Sequence, residues 1–324
     1  MSLHNRRPAM IFANLLHLSY NMWGDWENPA VKSKYWAAKP YLRFDEKLWN
    51  DLLASMQKHK LNMVVIDVGD GVEYASHPEI SVKNAWSRDK LKSELAKMRQ
   101  MGLEPIPKLN FSTCHDQWLG PYARMVSTPA YYKVCEDLIA EVIELFDKPR
   151  YFHLGMDEEE AVHQTAFEFA AMRQHGLWWR DIQFLFKQVE AKGVQPWIWA
   201  DFVWNHTEAF YKNMPKHIVQ SNWYREPVRG DAKSVYGGEF NMDIECVRTY
   251  VDLDKAGYDQ IPTVSNWRTP DNIHGTMHFC QEHVSKERLK GFLLTPWRPT
   301  LEEVRERHID AIEHFAMAIR ELEM

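Results

Sequence analysis

The sequence predicts a (β/α)8 barrel, and three observations lead there. Eight short apolar, β-rich runs recur along the chain, amphipathic helical stretches separate them, and the units average about 40 residues over 324. The predicted strands are Met10–His17, Asn62–Val68, Leu103–Asn110, Tyr151–Gly155, Gln195–Ala200, His217–Trp223, Gln260–Ser265 and Gly291–Thr295. Their near-continuous apolar character suits parallel strands covered on both faces.

The helices carry start signals. Asp45 is the expected N-cap before a stripe of Leu48, Leu52 and Met56, and Ser87 plays that part before Leu91, Leu95 and Met98. Thr128-Pro129 reads as a cap followed by proline at the first helical position, with Val134, Leu138, Val142 and Phe146 as the buried stripe. Thr300 and Glu303 have capping-box spacing. A doubly wound open sheet is the competing fold. It usually carries a Gly-rich phosphate turn after its first strand, and here Ser19-Tyr20-Asn21-Met22-Trp23 follows instead. With no Pro/Gly/Ser linker or low-complexity segment, residues 1–324 are expected to form one barrel domain.

Composition narrows the function. Hydrophobic residues make up 45% and charged ones 26%, the profile of a globular protein with a substantial core. The net charge of −6, without a basic cluster, argues against a nucleic-acid partner. No apolar run is long enough to span a bilayer. The four cysteines, Cys114, Cys135, Cys246 and Cys280, form no CxxC pair, which leaves a zinc knuckle unsupported and the disulfide state open. No HExxH or GxSxG signature appears, and His153, Asp157 and His163 have no metal-ligand spacing, so neither a metal nor another cofactor is expected. Met1 to Asn5 carry no apolar signal core, so two locations are expected: periplasmic or secreted where an export signal has been trimmed, cytoplasmic otherwise. Oligomeric state is not legible.

In a barrel the active site lies beyond the C-terminal strand ends. That shortlist contains Asp70, His115, Asp157, Glu158, Trp199, Asp201, Trp223, Tyr224, Trp267 and Trp297. Carboxylates and tryptophans on one rim are what a glycoside-cleaving pocket needs: an acid for the leaving oxygen, a second group for the oxocarbenium-like centre, and aromatic walls. The 14 tryptophans lean the same way, since flat aromatic faces stack on sugar rings. The tandem Asp157-Glu158 is the expected catalytic pair, with a raised pKa for a carboxyl held against aromatics and a second carboxylate. Asp157 to Glu160 also read as the acidic opening turn of a following helix, and Glu159 and Glu160 are assigned to it.

The run Phe152-His153-Leu154-Gly155-Met156-Asp157-Glu158 resembles the HxGGDE fourth-strand motif of glycoside hydrolase family 20, the β-N-acetylhexosaminidases. Other stretches are similar in order. Lys60-Leu61-Asn62 with Asp70 resembles the second strand, and Gly102 to Pro107 with His115 the third. Gly257-Tyr258 to Ser265 resembles the seventh, and Trp199, Trp223 and Trp297 stand at the positions of the pocket tryptophans. The likeness covers about residues 45 to 300. It implies substrate-assisted catalysis with retention: Glu158 as general acid/base and Asp157 orienting the substrate's 2-acetamido group.

Departures are concentrated near the site. Met156 stands at the second glycine of the motif, Asp67 at a histidine, and Lys108 at a glutamate. Trp267-Arg268-Thr269 lacks the family's Y-x-D, Pro299 stands at a glutamate, and Arg6 or Arg7 corresponds to its sugar-binding arginine. Three functions follow: an exo-acting N-acetylhexosaminidase, a glycosidase with a separate nucleophile such as Asp201, Glu226 or Glu239, or a catalytically silent carbohydrate-binding barrel.

Overall fold

The computed structural model describes residues 10–228 and 242–323. The chain runs β1 (Ile11–His17), α1 (Glu46–Lys58), β2 (Met63–Asp67), α2 (Arg88–Gln100), β3 (Glu104–Lys108), α3 (Pro129–Leu145), β4 (Tyr151–His153) and α4 (His175–Ala191). It continues with β5 (Gln195–Trp199), the short α5 (Phe202–Asn205) and α6 (Thr207–Asn213), β6 (Val219–Ser221), α7 (Met242–Lys255), β7 (Thr263–Val264), α8 (Asp271–His283), β8 (Gly291–Leu294) and α9 (Arg305–Glu323).

All strand pairs are parallel, in the order β6-β5-β4-β3-β2-β1-β8-β7. Parallel bridges from Gln220 to Gln260 and from Trp223 to Thr263 bring β6 against the segment around β7, closing the sheet into a barrel. Each predicted strand is present, trimmed at its ends. The seventh is shortest because Gln260 joins only through isolated bridges.

Side chains alternate across the strands, so one set fills the barrel and the other meets the helices. Leu15, Val65, Ile106, Trp197, Val219 and Leu293 belong to the inner cluster, on which Trp223 and Trp297 rest. Leu16, Val64, Ile66, Phe152 and Ile198 belong to the outer shell with the helix stripes. Three of the expected caps form: the side chains of Asp45, Ser87 and Thr128 accept from the amides of Leu48, Lys90 and Tyr131. The capping box does not. Thr300 donates to the His17 carbonyl at 2.7 Å, Glu303 pairs with Lys34, and α9 starts only at Arg305.

Above the inner apolar layer lies a row of four interior positions in direct register. His17 is opposite Asp67, Asp67 opposite Lys108, and Lys108 opposite His153. Lys108 and Asp67 form an ion pair that is fully buried on the Lys108 side, with His17 Nδ1 3.5 Å from the same Asp67 oxygen. Two departures from the family pattern, Asp67 and Lys108, therefore meet and neutralise one another. The four cysteines are buried and unpaired.

Candidate active site

The loop after β4 is shaped by one close approach. A Cβ on Gly155 would fall 1.9 Å from Oδ1 of Asn110, so only glycine fits, at φ 73°. The next turns are made by residues with side chains, Met156 at φ 76° and Glu158 at φ 55°. Left-handed backbone at non-glycine residues costs about 1–3 kcal/mol each and tends to mark functional loops. Met156 thus keeps the conformation that explains a glycine at its place in the motif. Asn110 anchors the loop, accepting from the Met156 amide at 3.1 Å and donating to Oδ1 of Asp157 at 2.8 Å. Tandem acids reach one site because the chain has left the strand and turned twice.

His115, on the loop after β3, bridges the two acids. Its Nε2 lies 3.3 Å from Oδ2 of Asp157 and 3.2 Å from Oε2 of Glu158. Burial pulls the imidazole pKa down, but the Asp157 and Glu158 carboxylates outweigh it and lift it to about 10. Burial pushes Asp157 up in turn, and the His115 charge with its hydrogen bond holds the carboxyl well below the usual range. Glu158 follows the same balance: burial raises it, and His115 together with Arg225 brings it below normal. Nη2 of Arg225 sits 2.9 Å from Oε1 of Glu158.

The expected rise in the pKa of this pair is therefore corrected. The raised carboxyl in contact with this pair is Asp201, just beyond β5, which burial and the neighbouring Asp157 charge lift to about 8. Asp201 accepts from the Glu158 amide at 2.8 Å and from Nε1 of Trp223 at 3.2 Å.

Glu159 is also corrected. No α-helix follows directly, since α4 begins at His175. Glu159 is buried against Arg173, at 2.8 Å, and Arg173 also lies 3.3 Å from Asp181. The charge is consumed inside the protein and anchors the loop from below.

Trp199 is fully buried at the barrel mouth, its ring centroid 4.3 Å from His153 and 5.6 Å from Trp297. Trp297 is half-buried and its carbonyl accepts from the Tyr20 hydroxyl at 2.9 Å. Trp223 forms a side wall, with Trp204 at 4.6 Å and the Arg225 guanidinium 4.7 Å from its ring centroid. Trp267 stands on the open rim under Arg298, at 4.2 Å. Asp157, Glu158, His115, Asp201 and Trp223 are thus one contact network, adjoined by Trp297, while Trp199, expected to contact substrate, is fully buried beneath Trp297.

Three shortlisted residues lie apart from it, Trp267 on the rim, Asp70 and Tyr224. Asp70 is taken up by Ser19 and by Asn21, the latter at 2.8 Å, and burial lifts it to about 7. Tyr224 packs against the outer hydrophobic shell. Of the alternative nucleophiles, Glu226 is paired with Arg268, while Glu239, like Arg6 and Arg7, lies outside the described residues. Sequence reasoning missed Arg225, Asn110 as an anchor, and Lys108 with Asp67. Arg225 follows the Trp223 wall by two residues, and that adjacency was the available signal. Among the described residues no group of three or more His, Cys, Asp or Glu side chains is arranged to hold a metal ion.

No protein-family model matches the chain. A lacto-N-biosidase from Bifidobacterium bifidum is 25% identical over 203 residues, covering 54% of this chain and 18% of that protein. The chain thus spans less than a fifth of that relative's length. Solved structures resemble it over nearly the whole chain. A family 20 exo-β-N-acetylglucosaminidase from Vibrio harveyi, in complex with N-acetylglucosamine, gives a TM-score of 0.65 at 11% identity, covering 95% of this chain and 54% of that one. Dispersin B gives 0.58 at 13% identity, covering 96% and 99%. A β-N-acetylhexosaminidase from Bacteroides fragilis gives 0.60 at 12%, covering 95% and 66%. The fold is therefore the (β/α)8 barrel also found in the β-N-acetylhexosaminidases of glycoside hydrolase family 20.

Proposed function

We propose that this chain is a glycoside hydrolase of the β-N-acetylhexosaminidase kind, retaining in outcome and substrate-assisted in mechanism. One observation carries the reading: Asp157 is held ionised by His115 and Asn110, directly beside Glu158, at the mouth of a tryptophan-floored barrel. When a 2-acetamido oxygen attacks C1, positive charge develops on the acetamide nitrogen. An ionised carboxylate accepts that N–H and offsets the charge, a task for a group with a depressed pKa. Glu158 is the acid that protonates the leaving oxygen and then the base that activates water.

A separate carboxylate nucleophile draws less support. It must be ionised, and Asp201, lifted to about 8, is neutral near pH 7. The silent-barrel reading has one observation in its favour, the ion pair that holds Glu158 on Arg225. A thiazoline analogue of N-acetylglucosamine, which mimics the cyclised acetamide, tests the proposal. Wild type is expected to bind it in competition with substrate, and Asp157→Asn to weaken that binding by about tenfold or more, the scale of one charge-assisted hydrogen bond. Turnover of glycosides that the thiazoline does not inhibit would contradict the substrate-assisted route.

A further inference from the structure

The two oxygens of Glu158 face different surroundings. Oε2 is turned to His115, and Nδ1 of His163 lies 3.9 Å from that same oxygen. Oε1 is turned outward and meets Arg225. An acid that protonates a leaving oxygen must offer the oxygen that interior groups do not engage, which here is Oε1. Arg225 therefore stands where the leaving group of a bound glycoside arrives. Its side chain is 45% exposed against 18% for Glu158, so it lies on the solvent side of the acid. Its guanidinium is steadied over the Trp223 ring at 4.7 Å, which in turn is tied to Asp201. A cavity of about 220 Å³ opens alongside, lined by Glu158, His163, Asp201, Trp204 and Trp223.

We propose that Arg225 makes this site selective for glycosides whose leaving group carries an anion, a carboxylate or a sulfate, by passing its guanidinium from Glu158 to that anion. The inference rests on Glu158 being the acid. A neutral leaving group offers Arg225 nothing in exchange, so Oε1 stays paired and unprotonated. An anionic one accepts the guanidinium fork, and the freed Oε1 is protonated by hydronium from bulk solvent and delivers that proton to the leaving oxygen as the glycosidic C–O bond breaks. The other titratable groups facing Glu158 are His115, His163, Asp157 and Asp201, and the contacts of the two histidines are with Oε2, not Oε1.

The test compares 4-carboxyphenyl, 4-sulfophenyl and neutral 4-carbamoylphenyl β-N-acetylglucosaminides on wild type, Arg225→Met and Arg225→Lys. Leaving-group reactivity cancels when one pair of substrates is compared across variants. In Arg225→Met the anionic-to-neutral ratio of kcat/KM is expected to fall by about tenfold or more. The alkaline limb for the neutral substrate should move to higher pH, because Glu158 loses the charge that lowers it. Arg225→Lys should recover part of the ratio, and the larger of the two anionic effects separates carboxylate from the sulfonate that stands in for a sulfate. An unchanged ratio or an unmoved limb would overturn the proposal. Calorimetry with the matching thioglycosides separates this inference from the hydrolase reading. Anion-preferring binding that is lost in Arg225→Met upholds Arg225 even without turnover, and equal binding of anionic and neutral probes overturns it.

Discussion

At the scale of the residue, the site sorts its charges by environment. Asp157 and Glu158 are pulled down by one shared imidazolium, and Asp201, buried and beside their charges, is pushed up to about 8. In this account Asp201 works in its neutral form, as a support for the Glu158 amide and the Trp223 ring. Asp201→Asn should therefore keep activity near pH 6 within about tenfold, the loss of one hydrogen bond. The sign of its pH dependence follows from linkage: a carboxyl whose folded pKa is raised costs stability as pH climbs from its unfolded value near 4 to about 8. The asparagine variant should gain on wild type across that window in thermal unfolding. A loss of activity beyond about a thousandfold at pH 6 would instead mark Asp201 as an ionised nucleophile.

At the scale of the element, the loop after β4 is the most specified piece of backbone near the site. Gly155→Ala adds a methyl into Asn110 and strains a φ of 73°. It should lower stability by roughly 1–3 kcal/mol from backbone strain alone. It should also cut kcat more than it raises KM, because Asn110 orients Asp157 without itself facing the substrate. Urea unfolding with steady-state kinetics checks both, and a variant with wild-type values would show that Asn110 can yield. The strands and three helix starts were legible because burial period and cap chemistry are local. The capping box was not, since Thr300 found a distant carbonyl on His17 that no spacing rule reveals. Glu159 was misjudged for the same reason: its partner Arg173 is 14 residues away in a loop, and burial decided its role.

For the whole molecule, the barrel carries a buried charged layer at the height where chemistry begins. Asp67 and Lys108 read as two damaging departures in sequence, and the parallel register of β2 and β3 turns them into one neutral pair. Removing a single partner should be far worse than removing both. Lys108→Met is expected to cost roughly 3–5 kcal/mol by stranding Asp67, while Asp67→Asn with Lys108→Met should recover much of it. Additive losses in a double-mutant cycle would contradict that pairing. The fold was readable from sequence because the barrel repeats its pattern eight times. The placing of Asp157 and Glu158 together just beyond β4 was readable from one motif. Their protonation states and the Arg225 contact depend on approaches between loops far apart in sequence.

Glu158 is proposed as the acid of a glycoside hydrolase acting on N-acetylhexosaminides. The direct measurement is hydrolysis of an aryl glycoside panel, including β-GlcNAc and β-GalNAc, by wild type and Glu158→Gln. Turnover of an N-acetylhexosaminide that collapses by about a hundredfold or more in the variant, the usual scale for a lost general acid, is the expected result. Sugar binding by wild type without turnover of any glycoside, or equal turnover by the two proteins, would contradict it.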